Sequence, residues 1–274
     1  MREFQVFVPV GQDRLAAALT APDERPEGLV VLMTGMGPHR SHRFGIWART
    51  GRELARRGIA SVRFDYRGMG ESTGLLGGAG VWYMADIPVD QAIACARFGM
   101  EATGARSVAA AGNCGGAWAA LELGARMPEC AGVAFIRAPI LAPVEYATVA
   151  RKARRSRLKR IVRSNPLLHR LARVAIDATS KGSLDLMARY RAQLEHGSMM
   201  FLFCEEDYRR GYESKSLEKV LAQLSPEHRA RCTRLIIPGR SLQELELSTQ
   251  DDLIRTITDW AAELFSERPS PIVV

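Results

Sequence analysis

The chain lacks several features that would place it in a specialised class of protein. No apolar run approaches the ~20 residues of a membrane span, and the opening residues, MREFQVFVPVGQDR, contain no apolar signal region. We therefore expect neither a membrane span nor a secretory leader. The five cysteines are odd in number and form no CxxC pair. This usage argues against disulfides or a zinc site and predicts reduced thiols in a cytoplasmic protein. We predict no metal and no cofactor.

Acidic residues are missing from one strongly basic stretch. Residues 151–163, RKARRSRLKRIVR, carry eight Lys or Arg side chains and no acid, in a chain of net charge +8. Such a patch attracts nucleic acid, anionic lipid or an acidic protein, and the alternative is a solvated helix face. Nucleic-acid binding would rest on charge alone, so we predict no nucleic-acid partner.

Apolar runs alternate with helical periodicity along most of the chain. The runs at 29–34 (LVVLMT), 60–65 (ASVRFD) and 199–204 (MMFLFC) are continuous, as expected for strands buried on both faces. Strands separated by helices predict an α/β fold with a mostly parallel central sheet flanked by helices. The opening residues alternate instead and predict a hairpin.

One long segment breaks this alternation. Residues 144–196 show helical patterns and no strand. A helical insertion after the sixth strand is where a cap would sit, and it includes the basic stretch. We predict a single domain, with the core at 1–143 and 197–274 and a helical cap insertion at 144–196.

A glycine-rich turn carries the clearest chemical signal. The segment GNCGG at 112–116 matches the pattern glycine-x-nucleophile-x-glycine and lies between a predicted strand and a predicted helix. The tight turn would lift Cys114 above the sheet at a helix N-terminus, where the helix dipole favours a thiolate. The alternative is a buried structural cysteine in an ordinary turn.

These residues resemble the α/β-hydrolase superfamily across nearly the whole chain. The stretch from 35, GMGPHRSHRFGIWARTGRELARRGIASVRFDYRGMGES, together with GNCGG, is similar to the hydrolases associated with the exosortase A system. The serine aminopeptidase and acyl-transfer branches are also similar. The resemblance implies an α/β-hydrolase fold, with RFDYRGMGES as a scaffold feature that does not report a substrate.

The resemblance also implies roles for further residues. The oxyanion hole would use the backbone N–H of Gly115 and a donor at Met36 or Gly37. The triad carboxylate would be Asp207, which follows a predicted strand, with Glu205 and Glu206 close enough to confuse the register. The alternatives are a simple connection at 35–37 and a charged loop at 205–207.

The triad histidine is absent from its expected place. Relatives carry it about 18 residues before a tryptophan of the last helix, and here Leu242 lies 18 residues before Trp260. No histidine follows His228. Possible replacement bases are the side chains of His39, His42, His169, Glu244 and Glu246. The histidines also fit polar loop or surface positions.

A cysteine nucleophile without this histidine favours acyl transfer over hydrolysis. A thiolate exchanges one thioester for another with little proton transfer, whereas water must be deprotonated as it attacks. We therefore predict an acyl-Cys114 intermediate formed from an acyl carrier protein or coenzyme A. An acidic carrier would dock on Arg154, Arg155 and Lys159. The alternatives are a thioesterase or esterase with a non-standard base, and a pseudo-hydrolase acting as a non-covalent cyclase or a binding protein.

Overall fold

The computed structural model describes residues 1–35, 39–75, 88–138, 140, 186–209, 212–239 and 246–266. Within these residues eight strands form one sheet. Their bounds are β1 Arg2–Val10, β2 Asp13–Ala21, β3 Leu29–Met33, β4 Ala60–Phe64, β5 Val108–Asn113, β6 Cys130–Ile136, β7 Ser198–Cys204 and β8 Cys232–Ile237.

The strand order is β1-β2-β4-β3-β5-β6-β7-β8. β2 is antiparallel to both β1 and β4, and every pair from β4 to β8 is parallel. The opening hairpin and the mostly parallel sheet are therefore confirmed. Because the strands from β3 to β8 point the same way, their carboxyl ends meet at one edge, where ligands bind in open α/β sheets.

Helices cover both faces of this sheet. Side chains of β3 alternate between two apolar clusters, with Val31 and Met33 in one and Val30 and Leu32 in the other. The described helices are α1 Ile46–Arg56, α2 Val89–Thr103, α3 Gly115–Arg126, α4 Leu186–His196, α5 Glu205–Arg209, α6 Tyr212–Ala222, α7 Pro226–Ala230 and α8 Leu247–Ser266. The first cluster includes α2, α3 and α4, and the second includes α1 and α8. Of the helices in these ranges, none combines the length and apolarity that crossing a membrane would need.

The last part of the predicted cap is α4, and it packs against the core. The Nε of Arg189 donates to Glu122 on α3 at 2.7 Å. The buried hydroxyl of Tyr190 donates to the carbonyl of Ile140 at 3.1 Å. This helix therefore covers the sheet. Residues 141–185 lie outside the described ranges, so the cap at 144–196 and its limits stay a prediction.

The first helix after β3 begins later than its periodicity indicates. The pattern predicts a helix over 44–57, but a short 3₁₀ turn at Arg43–Gly45 precedes α1. Phe44 has a φ of 56° and Gly45 one of 66°, which a right-handed α-helix does not contain. Sequence patterns did not predict α5, α6 or α7, and of these α5 and α7 have only five residues each, too few for a periodic signal.

Candidate active site

The predicted elbow lies at the carboxyl edge of the sheet, between β5 and α3. Cys114 has φ 54° and ψ −125°, a conformation that non-glycine residues rarely adopt. Its backbone N–H donates to the carbonyl of Ile136 on β6 at 3.0 Å. A Cβ at Gly112 would lie 2.1 Å from the Gly116 carbonyl oxygen, and one at Gly116 would lie 2.6 Å from the Met33 carbonyl oxygen. Because backbone atoms come this close, both Gly112 and Gly116 must be glycine.

Cys114 differs from most of the other cysteines in its surroundings. It is half-buried, whereas Cys95, Cys130 and Cys204 are buried. Burial raises the pKa of Cys204 to about 12 and that of Cys232, the other half-buried cysteine, to about 11. Burial raises the pKa of Cys95 as well. Thiols that resist ionisation are poor nucleophiles, so Cys114 is the candidate nucleophile by position and exposure.

Gly35, in the loop after β3, lies close to the elbow. A Cβ at Gly35 would lie 2.8 Å from the Cβ of Cys114 and 3.4 Å from its Sγ. The Gly35 N–H donates to the Oδ1 of Asn113 at 3.2 Å, which fixes the start of this loop. Gly115 is the first residue of α3, so its N–H has no acceptor within the helix. One predicted oxyanion donor therefore lies next to the cysteine, at a position where the helix itself does not use its N–H.

An ion pair holds the far end of the same loop. The backbone N–H and the Nη1 of Arg40 donate to the two carboxylate oxygens of Asp65, each at 2.5 Å. Asp65 is 2% exposed and also accepts from the N–H of Glu71 at 3.3 Å. A Cβ at Gly70 would lie 2.2 Å from an Asp65 oxygen. The segment RFDYRGMGES therefore supplies the carboxylate that positions the loop, together with a glycine that leaves room for it.

His42 lies at the end of this loop and interacts with an elbow residue. Burial lowers the pKa of its imidazole, while interactions with the Arg43 backbone and the Asn113 side chain act in the opposite direction. The Nδ1 of His42 is buried and has no hydrogen-bond partner among the described residues. Its ring centroid lies 5.5 Å from that of the buried Trp47. The lowered pKa favours the neutral imidazole, which has one nitrogen able to accept a proton.

The other described histidines do not reach the elbow. His39 is exposed, and its Nδ1 accepts a backbone N–H two residues later at 3.2 Å. His196 lies 3.1 Å from a carbonyl oxygen of α3, and His228 lies 3.3 Å from a glutamate of α4. Of the described members of the predicted set, His42 is therefore the better candidate base.

The predicted triad carboxylate is held by an arginine. Asp207 lies on α5, directly after β7, and is 6% exposed, whereas Glu205 and Glu206 are half-buried. The Nε of Arg137 donates to the Oδ2 of Asp207 at 2.6 Å, and its Nη2 donates to Oδ1 at 3.3 Å. Both carboxylate oxygens therefore contact a guanidinium.

Several predicted site residues lie outside the described ranges and keep the standing of predictions. They are Met36, Gly37, Arg154, Arg155, Lys159, His169, Leu242 and Glu244. Glu246 is described and is exposed just before α8. In the ranges that the structure covers, no group of three His, Cys, Asp or Glu side chains is arranged to hold a metal ion.

The sequence analysis missed three residues that shape the site. Asn113 ties the loop to the elbow, Arg40 anchors the loop through Asp65, and Arg137 binds Asp207. Each lies at or just after the carboxyl end of a parallel strand or in the loop that follows it. A polar or charged residue at that position could have been noted, because such residues face the ligand edge of an α/β sheet.

The fold and this arrangement define an enzyme of the α/β-hydrolase class, with a strained elbow after β5, Gly35 close to it after β3 and an acid after β7. The family model described as serine aminopeptidase, S33 (Hydrolase_4), matches residues 24–200. The chain belongs to this family. It carries Cys114 at the position of the nucleophile in the elbow motif.

Solved structures share this fold at low sequence identity. Proline iminopeptidase from Mycobacterium smegmatis is 14% identical with a TM-score of 0.62, covering 96% of this chain and 99% of its own. Dienelactone hydrolase from Anabaena variabilis is 16% identical with a TM-score of 0.62, covering 96% and 97%. An esterase from Pyrococcus furiosus is 12% identical with a TM-score of 0.64, covering 96% and 91%.

These likenesses establish the fold alone. No curated protein sequence matches the chain. The similarity to hydrolases of the exosortase A system stays a prediction.

Proposed function

We propose that this α/β-hydrolase transfers an acyl group from a thioester through an acyl-Cys114 intermediate. The observation that carries the proposal is the half-buried cysteine held at a strained elbow on the N-terminus of α3. The sulfur would attack the thioester carbonyl, forming a new carbon–sulfur bond and expelling the donor thiolate. An acceptor would then attack the acyl-cysteine and release the Cys114 thiolate.

Backbone donors would stabilise the charge that develops on the carbonyl oxygen. The Gly115 N–H lies beside the cysteine at the positive end of α3. A second donor at Met36 or Gly37 would follow Gly35, whose contact with Cys114 brings the loop to the elbow. Two N–H groups directed at one oxygen form an oxyanion hole.

The ion pair at Asp207 favours transfer over hydrolysis. A triad carboxylate orients an imidazole and stabilises its charged form. Here Arg137 contacts both oxygens of Asp207, so the acid is already paired with a cation. Deprotonation of water would therefore lack the usual imidazole base oriented by a carboxylate. Exchange of one thiol for another in a thioester needs little proton transfer.

The thioester donor would be an acidic acyl carrier protein or coenzyme A. Both are anionic, and the stretch 151–163 concentrates positive charge in a basic chain. Within that stretch we propose Arg154, Arg155 and Lys159 as the docking side chains. Such a reaction would take place in the cytoplasm, in keeping with the reduced cysteines.

A second candidate function is hydrolysis with His42 as the base. Its interaction with Asn113, its unpartnered Nδ1 within the described residues and its lowered pKa favour this alternative. A neutral imidazole beside the elbow is able to accept a proton from the thiol or from water. The acyl-transfer proposal is preferred because no described carboxylate orients this imidazole.

The test is acylation of the purified protein by simple acyl thioesters, followed by intact and peptide mass spectrometry. We expect one acyl group on Cys114 and none in Cys114→Ala. Cys232→Ala is the matched control, since Cys232 is also half-buried but lies away from the elbow, and it should acylate like the wild type.

The same acyl-enzyme then separates the two functions. Faster decay with added amine or alcohol than in buffer would support transfer. Rapid decay in buffer that is lost in His42→Gln would support hydrolysis. If no adduct forms with any thioester, the protein is a pseudo-hydrolase, and both proposals fail.

A further inference from the structure

Arg137 adopts a backbone conformation that its residue type disfavours. It follows β6 directly and has a φ of 41°, in the left-handed region. Its N–H donates to the carbonyl of Leu202 on β7 at 3.1 Å. Such strain persists only where the surrounding structure enforces it, and it concentrates at functional sites. The side chain of Arg137 is therefore a candidate for a functional role.

Toward the described residues, the guanidinium of Arg137 uses one of its two hydrogen-bonding faces. Nε and Nη2 contact the Asp207 carboxylate, whereas Nη1 donates to no residue within the described ranges. The Arg137 side chain is 22% exposed and that of Asp207 is 7% exposed. A guanidinium presents two N–H groups in parallel from its side and two from its end. The end formed by Nη1 and Nη2 is the geometry that a second carboxylate fits.

Arg137 lies at the same edge of the sheet as the nucleophile. Ile136 pairs with Asn113 across β6 and β5, and its carbonyl accepts the Cys114 N–H at 3.0 Å. Arg137 is the next residue, and neighbouring strands lie about 4.8 Å apart. Buried Cys204 lies close enough to the pair for both charges to act on it. The pair therefore lies near a buried side chain, and charge interactions are stronger in such surroundings than in water.

The geometry points to Arg137 as a specificity-determining residue that binds a carboxylate on the acyl chain of the substrate. This inference rests on the proposed acyl transfer and adds the class of acyl group. A carboxylate at the end of the guanidinium would lie closer to the cation than to Asp207, so attraction would exceed repulsion. Asp207 would act as a positioning residue that holds the guanidinium in place.

The experiment compares two thioesters that differ in charge and closely match in length. The N-acetylcysteamine thioester of succinate carries a carboxylate, and that of monomethyl succinate replaces it with a methyl ester. The readout is the rate of Cys114 acylation by mass spectrometry. We expect the wild type to favour the anionic probe by at least about tenfold, the effect of one charged hydrogen bond.

Four variants test which charge sets this preference. Arg137→Gln should abolish the preference, and Arg137→Lys should restore only part of it, since an ammonium cannot bind bidentately. Asp207→Asn should increase the preference, because it removes the repulsive charge while its amide oxygen still accepts from Nε and holds the guanidinium. Arg137→Gln combined with Asp207→Asn leaves no unpaired charge and guards against misfolding of the single variant, and it should also show no preference.

Arg189→Gln is the matched control, because Arg189 forms a comparable ion pair with buried Glu122 on α3, away from the elbow. It should keep the wild-type ratio. Equal rates with both probes in the wild type, or an unchanged ratio in the double variant, would overturn the inference and leave acyl transfer standing. Failure of both probes to acylate Cys114 would instead remove the proposed function, and the inference with it.

Discussion

Two buried aspartates in this enzyme are each paired with an arginine, and the two pairs differ in which groups of the arginine make the contact. Asp65 accepts from the side chain and backbone of Arg40 and from the backbone of Glu71. The contacts of Arg137 with Asp207 come from its guanidinium alone, at the carboxyl edge beside the elbow. The first pair ties loops together, and the second places a cation in the site.

The difference shows that the role of a buried ion pair depends on the groups that surround it. Backbone donors hold the Asp65 carboxylate in place, and the carboxylate in turn holds Arg40 in the loop after β3. Asp207 instead follows β7, where we predict the acid of a triad, and its pairing with Arg137 would change the chemistry that we propose for Cys114. The predictions below test this contrast.

The largest effect is expected from rebuilding the triad. Introducing Leu242→His alone should give little gain in ester hydrolysis, because Arg137 already binds Asp207. Combining it with Arg137→Met frees the carboxylate to orient the new imidazole. Hydrolysis of a simple ester should then rise by roughly 10²–10⁴-fold, the usual contribution of an aligned general base. The measurement is steady-state hydrolysis, with Arg137→Met alone as the control.

A full gain in hydrolysis in the single Leu242→His variant would show that Arg137 does not keep Asp207 from orienting the imidazole. No gain in either variant would show that Leu242 is not the histidine position.

Loss of the structural pair should mainly affect stability. Asp65→Asn removes the charge that Arg40 and two backbone N–H groups contact, and breaking a buried pair typically lowers the free energy of unfolding by about 3 kcal/mol. The Tm should fall by about 6–12 °C. Asp207→Asn should lower it less, because Arg137 contacts Asp207 through its guanidinium alone, whereas Arg40 contacts Asp65 through both its backbone and its side chain. Calorimetry on both variants measures the fall in Tm. An equal fall in Tm in the two variants would contradict the contrast between the pairs.

The smallest effect concerns His42 on the other side of the elbow. Burial lowers its pKa, so below an unfolded value near 6.5 the unfolded chain binds the proton more readily than the folded protein. The free energy of unfolding should therefore fall as the pH falls, by up to about 1 kcal/mol between pH 6.5 and 5.5. His42→Gln should remove this part of the pH dependence.

Urea unfolding at the two pH values measures the loss. His39→Gln is the matched control, because His39 is in the same loop but exposed. Equal pH dependence in the wild type and in His42→Gln would exclude the burial of a neutral imidazole.

Sequence patterns predicted the regular parts of the molecule well. Continuous apolar runs became β3, β4 and β7, and α3 has the bounds 115–126 that its periodicity indicates. They did not predict the turn at Arg43–Gly45, since left-handed φ angles at non-glycine residues leave no periodic signal. Among site residues, the Gly112 and Gly116 pattern located the elbow because only glycine fits its close backbone contacts.

By itself, the sequence determined that a cysteine stands at an elbow, because strand, glycine turn and helix are consecutive along the chain. It also determined that no histidine lies 18 residues before Trp260. Only the tertiary structure decided that Asp207 pairs with Arg137 and that His42 meets Asn113. These partners are 70 and 71 residues apart. Local patterns specify strands and turns, but such pairs depend on which strand ends the folded sheet brings together.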